Sequence, residues 1–115
     1  MDKILNINNF INLFILLLFI HCISDFYLQG RFVAENKTKS YYILFTHAFI
    51  VSAGIWLARY FWDGSQSYLW LIILILSHGI TDKWKCSHTD MEWNRRNMID
   101  QFIHIMTIIL FVIWG

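Results

Sequence analysis

The sequence is poor in charge: 15% of its 115 residues are Asp, Glu, Lys or Arg, against about 25% in an average soluble domain. Proline is absent, so none interrupts the apolar runs described below. Only two cysteines occur, Cys22 and Cys86, too few for a disulfide scaffold. The net charge of +1 lacks the basic surplus of a nucleic-acid binder, so no nucleic-acid partner is expected. What is abundant is apolar: 57% hydrophobic and 18% aromatic residues, with a mean hydropathy of +0.49. Disordered chains are polar and poor in aromatics. A soluble domain this small leaves too much of its surface in water to hide so much apolar area.

The placement of the few charges sets the class. None occurs in four runs: 4–24, 40–58, 64–81 and 101–115. A helix of about 20 apolar residues crosses the roughly 30 Å hydrocarbon layer. The sequence therefore predicts an all-α integral membrane bundle of four transmembrane helices with short loops. The helices are expected at about 5–27, 41–61, 68–86 and 97–114, in a single domain over 1–115. The first run reads as a span rather than a cleaved signal. It is longer than a signal core, no small-residue cleavage site follows it, and Asp25 comes soon after.

Lysine and arginine set the expected orientation. Arg31, Lys37 and Lys39 lie between the first two helices, and Lys83, Lys85, Arg95 and Arg96 around the connection between the last two. Lys3 and Arg59 fall on the other side. Both basic connections are then cytoplasmic and both termini outside, in the inner membrane. The short polar turn at 62–67 makes the second and third helices antiparallel neighbours. Trp56, Trp62 and Trp70 beside it, and Trp84 and Trp93 opposite, form an aromatic belt.

Ionisable groups inside spans are costly and point to function. Here they repeat a spacing: His21 and Asp25, His78 and Asp82, and Asp100 and His104 are each four residues apart. Residues so spaced share one helix face. His47 stands alone in the second run. With alternating helix directions, all seven fall in one leaflet, the one assigned to the cytoplasmic side. Nothing in the orientation argument used these residues.

Neutral imidazole and carboxylate are ligands of zinc, manganese or iron. The metal set is His21, Asp25, His78, Asp82, Asp100 and His104, serving one divalent ion or two bridged by a carboxylate. His47 is a further ligand or a proton shuttle. Gln29 and Gln101 would orient water or a ligand, and Lys37 and Lys85 would neutralise an anionic substrate. A lipid head group reaches this depth more readily than a large soluble substrate. The competing readings are a metal or proton carrier, and a structural membrane protein whose His/Asp pairs are interhelical hydrogen bonds. Four helices make a thin bundle, for which a homo-oligomer is a natural assembly.

The strings His21-Cys-Ile-Ser-Asp25-Phe-Tyr-Leu-Gln29, Ala34-Glu-Asn-Lys37, His47, His78-Gly-Ile-Thr-Asp82-Lys-Trp-Lys85 and Asp100-Gln101-Phe-Ile-His104 resemble the small bacterial and phage membrane proteins grouped as domain-of-unknown-function family 3307. The resemblance runs from about residue 13 to residue 110. The same strings are distantly similar to membrane-bound metal-dependent hydrolases assigned by motif. The resemblance implies a metal site and, through it, a hydrolase.

Overall fold

The computed structural model describes residues 7–27, 31, 35–36, 39–87 and 91–115. Four α-helices dominate: α1 (Ile7–Cys22), α2 (Tyr41–Asp63), α3 (Tyr68–Ser87) and α4 (Trp93–Trp114). A π-helical turn, Ile23–Tyr27, continues α1. No strand occurs among the described residues. Residues 5 and 6 of the expected first helix lie outside the described residues, α2 and α3 end within two residues of the expected 61 and 86, and α4 starts four residues before the expected 97. Its first turn carries the outward-facing polar residues Asn94 and Arg95, which a helix end tolerates in water.

Local chemistry sets the helix ends. Ser40 precedes α2 in extended conformation, and its Oγ accepts the N–H of Ile43 at 3.5 Å, an N-cap. Gly64 ends α2 in the left-handed region, at φ 79°, and its N–H donates to Tyr60 O. Only glycine adopts that conformation without strain. Asp63 then accepts from both the N–H and the hydroxyl of Ser65. Ser67 Oγ accepts from Trp70 N–H at the start of α3, and Trp56 Nε1 donates to Ser67 O at 2.8 Å. The connection between α2 and α3 is thus tied down at each step, and the two helices run antiparallel.

The bundle interior has two storeys. One is apolar: Leu13, Leu17, Val51, Ile55, Leu74, Ile108, Phe111 and Val112 pack together from all four helices. The other is polar and holds seven of the eleven buried polar or charged residues: His21, Asp25, His47, His78, Asp82, Asp100 and His104. The exterior reverses the usual order of a soluble protein. Phe19, Phe45, Leu69, Leu76, Ile80 and Phe102 each stand more than half exposed, an apolar coat matched to lipid.

Among the described residues, three segments are long and apolar enough to cross a membrane: Ile7–Asp25, Tyr41–Asp63 and Asn94–Trp114. α3 has the length of the expected fourth span but is more polar than these three. That helix has a length of 20 residues, but its second half carries His78, Asp82, Lys83 and Lys85. The polar storey takes so many ionisable groups from α3 that its mean hydropathy falls short.

Candidate metal centre

The site begins at the π turn. A π turn adds a residue to the helical repeat and often marks a functional position. Here it carries Asp25, 4% exposed, inward from the end of α1. Gly54 of α2 lets the two helices approach, since a Cβ there would lie 3.4 Å from both Ile20 and Ser24. His47 occupies the second turn of α2. His78 and Asp82 share the inner face of α3, and Asp100 and His104 that of α4.

Four donor atoms converge from three of these elements. His47 Nε2 lies 3.1 Å from Asp25 Oδ1, 3.3 Å from Asp82 Oδ2 and 3.1 Å from His78 Nε2. His78 Nε2 lies 3.6 Å from Asp25 Oδ1 and 3.4 Å from Asp82 Oδ2. Tetrahedral donors about 2.0–2.2 Å from a zinc ion stand about 3.3–3.6 Å from one another. Three of the five separations fall within that range and the two at 3.1 Å fall just short of it. All four residues are buried.

A second group shares Asp25 and adds Asp100 and His104. His104 Nε2 and Asp100 Oδ1 lie 3.1 Å apart, yet neither atom makes a hydrogen bond among the described residues. Buried polar atoms left so are expensive, and a cation between them would answer both. The His104 ring stacks on His78, with centroids 4.4 Å apart. Three carboxylates thus face one another in a buried volume, where like charges repel strongly. Lys85 Nζ, 3.6 Å from Asp100 Oδ2, offsets part of that charge.

The remaining sequence candidates fall around these groups. His21 belongs to neither one: its Nε2 is 3.7 Å from Asp25 Oδ2 and 3.5 Å from Gln101 Oε1. Gln101 turns its other end to Asp100, donating Nε2–H to Oδ2 at 2.9 Å. The Gln101 amide thereby links His21 to Asp100. His47, expected as an extra ligand or a shuttle, lies at the middle of the first group. Gln29 and Lys37 lie outside the described residues.

Two features escaped the sequence reading. A small cavity of about 10 Å³, close to the space one water needs, lies where the storeys meet. Ser52, Ser77 and Thr107 line it beside His21, His78 and His104. Ser77 and Thr107 hydroxyls are 3.0 Å apart. These residues recur inside apolar runs on the stripe that faces the core, which was the available signal. Arg59, 3% exposed, lies at the other end of the bundle. It donates to Asp63 and to the carbonyls of Phe111, Val112 and Gly115, so it caps α4 from α2. Counting it only as a loop charge hid that role.

The residues describe a helical, membrane-type protein with a buried His/Asp cluster able to hold a metal ion. The chain belongs to the family described as protein of unknown function DUF3307, whose model matches residues 13–115. Comparison with curated proteins and with solved structures finds no match.

Proposed function

We propose that this protein is a membrane-embedded, metal-dependent hydrolase acting on a membrane-associated substrate that contains phosphate. The observation that carries the reading is the convergence of Asp25, His47, His78 and Asp82 at donor separations of 3.1–3.6 Å. Two imidazoles and two carboxylates at that spacing favour zinc over manganese or iron. Asp25, common to both groups, is the carboxylate that a second ion would share.

A divalent ion supplies Lewis acidity: it polarises the bond to be cut and makes water a nucleophile near neutral pH. The protein's own groups supply the rest. His21 and Gln101 fix the orientation of Asp25 and Asp100, as outer partners of ligands commonly do. Lys85 places a positive charge beside Asp100, suited to an anionic oxygen. The charge pattern of the connections supports a location of this end of the bundle at the cytoplasmic face of the inner membrane, with both termini outside. The apolar storey closes the cluster off from the other leaflet. That closure favours chemistry at one surface over passage of ions across the membrane.

The test is metal analysis of protein purified in detergent without chelators. Wild type is expected to carry stoichiometric metal, and His47→Ala and His78→Ala to lose it. A metal-free wild type refutes the reading at its root. Metal-loaded protein that releases no phosphate or head group from phospholipid vesicles refutes the hydrolytic part alone.

A further inference from the structure

The outer side of the α2–α3 wall carries a groove of about 380 Å³, within the range of sites that hold small ligands. Leu44, Phe45, Ala48, Leu76, Gly79 and Ile80 line it, almost wholly apolar. Its small floor explains its shape: a Cβ at Gly79 would stand 3.7 Å from the Cβ of Ala48. At the mouth, Lys83 Nζ lies 4.9 Å from the centre of the Tyr41 ring, a cation–π contact. Lys83 makes no ion pair with a carboxylate among the described residues. Groove and metal centre share one wall: Ala48 follows His47, Gly79 follows His78, and Lys83 follows Asp82.

We propose that this groove holds one acyl chain of an anionic phospholipid, with the phosphodiester head group at Lys83. An apolar trough facing the bilayer takes a hydrocarbon chain. A cation at its end, steadied by an aromatic face, takes the phosphate. A zwitterionic lipid offers the same chain but no net charge, so the site discriminates by head group. A basic side chain near an anionic lipid surface is worth about 1 kcal/mol, close to fivefold in binding. The inference rests on the bilayer placement above and not on the hydrolytic reading.

The experiment is native mass spectrometry of the detergent-solubilised full chain, titrated with phosphatidylglycerol or phosphatidylcholine of identical acyl chains. Wild type is expected to retain phosphatidylglycerol about fivefold more. Lys83→Gln should equalise the two lipids while keeping both. Gly79→Leu should fill the groove and lose both, while a helix-favouring residue in mid-helix keeps the fold, checked by helical circular dichroism. If Gly79→Leu fails that check, the Lys83→Gln comparison decides alone. Equal retention by wild type, or a preference that survives Lys83→Gln, overturns the proposal. Release of the protein from membranes by alkaline carbonate, without detergent, would instead remove the bilayer placement itself.

Discussion

The two storeys of the bundle are built by the same helices and obey opposite rules. In the apolar storey Leu17 and Val112 are fully buried, their side chains packed in one apolar cluster. Along the same α1 stripe, His21 follows Leu17 by four residues and Asp25 follows His21 by four. One helical face therefore passes from hydrocarbon packing to ionisable side chains within two turns. Burial is equally tight in both, with Asp82 and Asp100 each 1% exposed. The apolar storey stabilises itself by close packing. The polar storey gathers three carboxylates and four imidazoles whose mutual proximity is costly unless something binds them. The imidazoles offset part of the carboxylate charge, with His47 3.1 Å from Asp25 and His104 3.1 Å from Asp100, and a bound cation would offset the rest.

Exchanging the rules breaks the comparison most severely. Leu17→Asp would place a lone carboxylate in the apolar storey, at a cost of several kcal/mol. Its expected outcome is loss of the cooperative thermal transition in detergent. A folded Leu17→Asp protein would show that the apolar storey is wetter than its packing implies.

Metal removal comes next in size. An ion that binds only the folded bundle stabilises it by about 4 kcal/mol at a thousandfold excess over its Kd. Chelation should then lower the melting temperature of wild type markedly. In Asp25→Asn the shared carboxylate is lost from both groups, and chelation should change little. Equal sensitivity of the two proteins would show that Asp25 is not the common ligand.

Much of this was readable beforehand, for a physical reason. The i,i+4 pairs and the alternation of helix direction depend only on helix geometry, so their meeting at one end of the bundle needed no coordinates. Two things needed three dimensions. The ranking of the histidines depends on how far each helix leans inward. His47, the one without an i,i+4 carboxylate, reaches the middle of the first group, while His21 stops at Asp25 and Gln101. The π turn at Ile23–Tyr27 is a backbone adjustment that no side-chain pattern announces. The short hydropathy of α3 was also hidden, because a charge-free run of 18 residues from Gly64 includes the interhelical turn.

That ranking sharpens the comparison within the polar storey. His47→Ala removes a donor to the first group and should abolish stoichiometric metal. His21→Ala leaves every member of both groups in place and removes only an orienting contact. Outer partners of this kind cost about 10–100-fold in metal affinity when removed. Competition with a chelator of known affinity is the measurement. A His21→Ala protein as empty as His47→Ala would make His21 a ligand in its own right.

The smallest effect belongs to the boundary between the storeys. Thr107 Oγ1 donates to Ile103 O at 2.8 Å, which uses its one proton. Ser77 must then be the donor across the 3.0 Å contact between the two hydroxyls. In Ser77→Ala, Thr107 keeps its own bond and loses only an incoming one. Interhelical hydrogen bonds of this type average about 0.6 kcal/mol in a membrane protein. Ser77→Ala should therefore lower the melting temperature slightly and leave bound metal unchanged. A change in metal content would mean that the hydroxyl band and its water-sized cavity belong to the metal centre. An unchanged metal content assigns the hydroxyls to packing, and the functional boundary then falls at the level of the histidines.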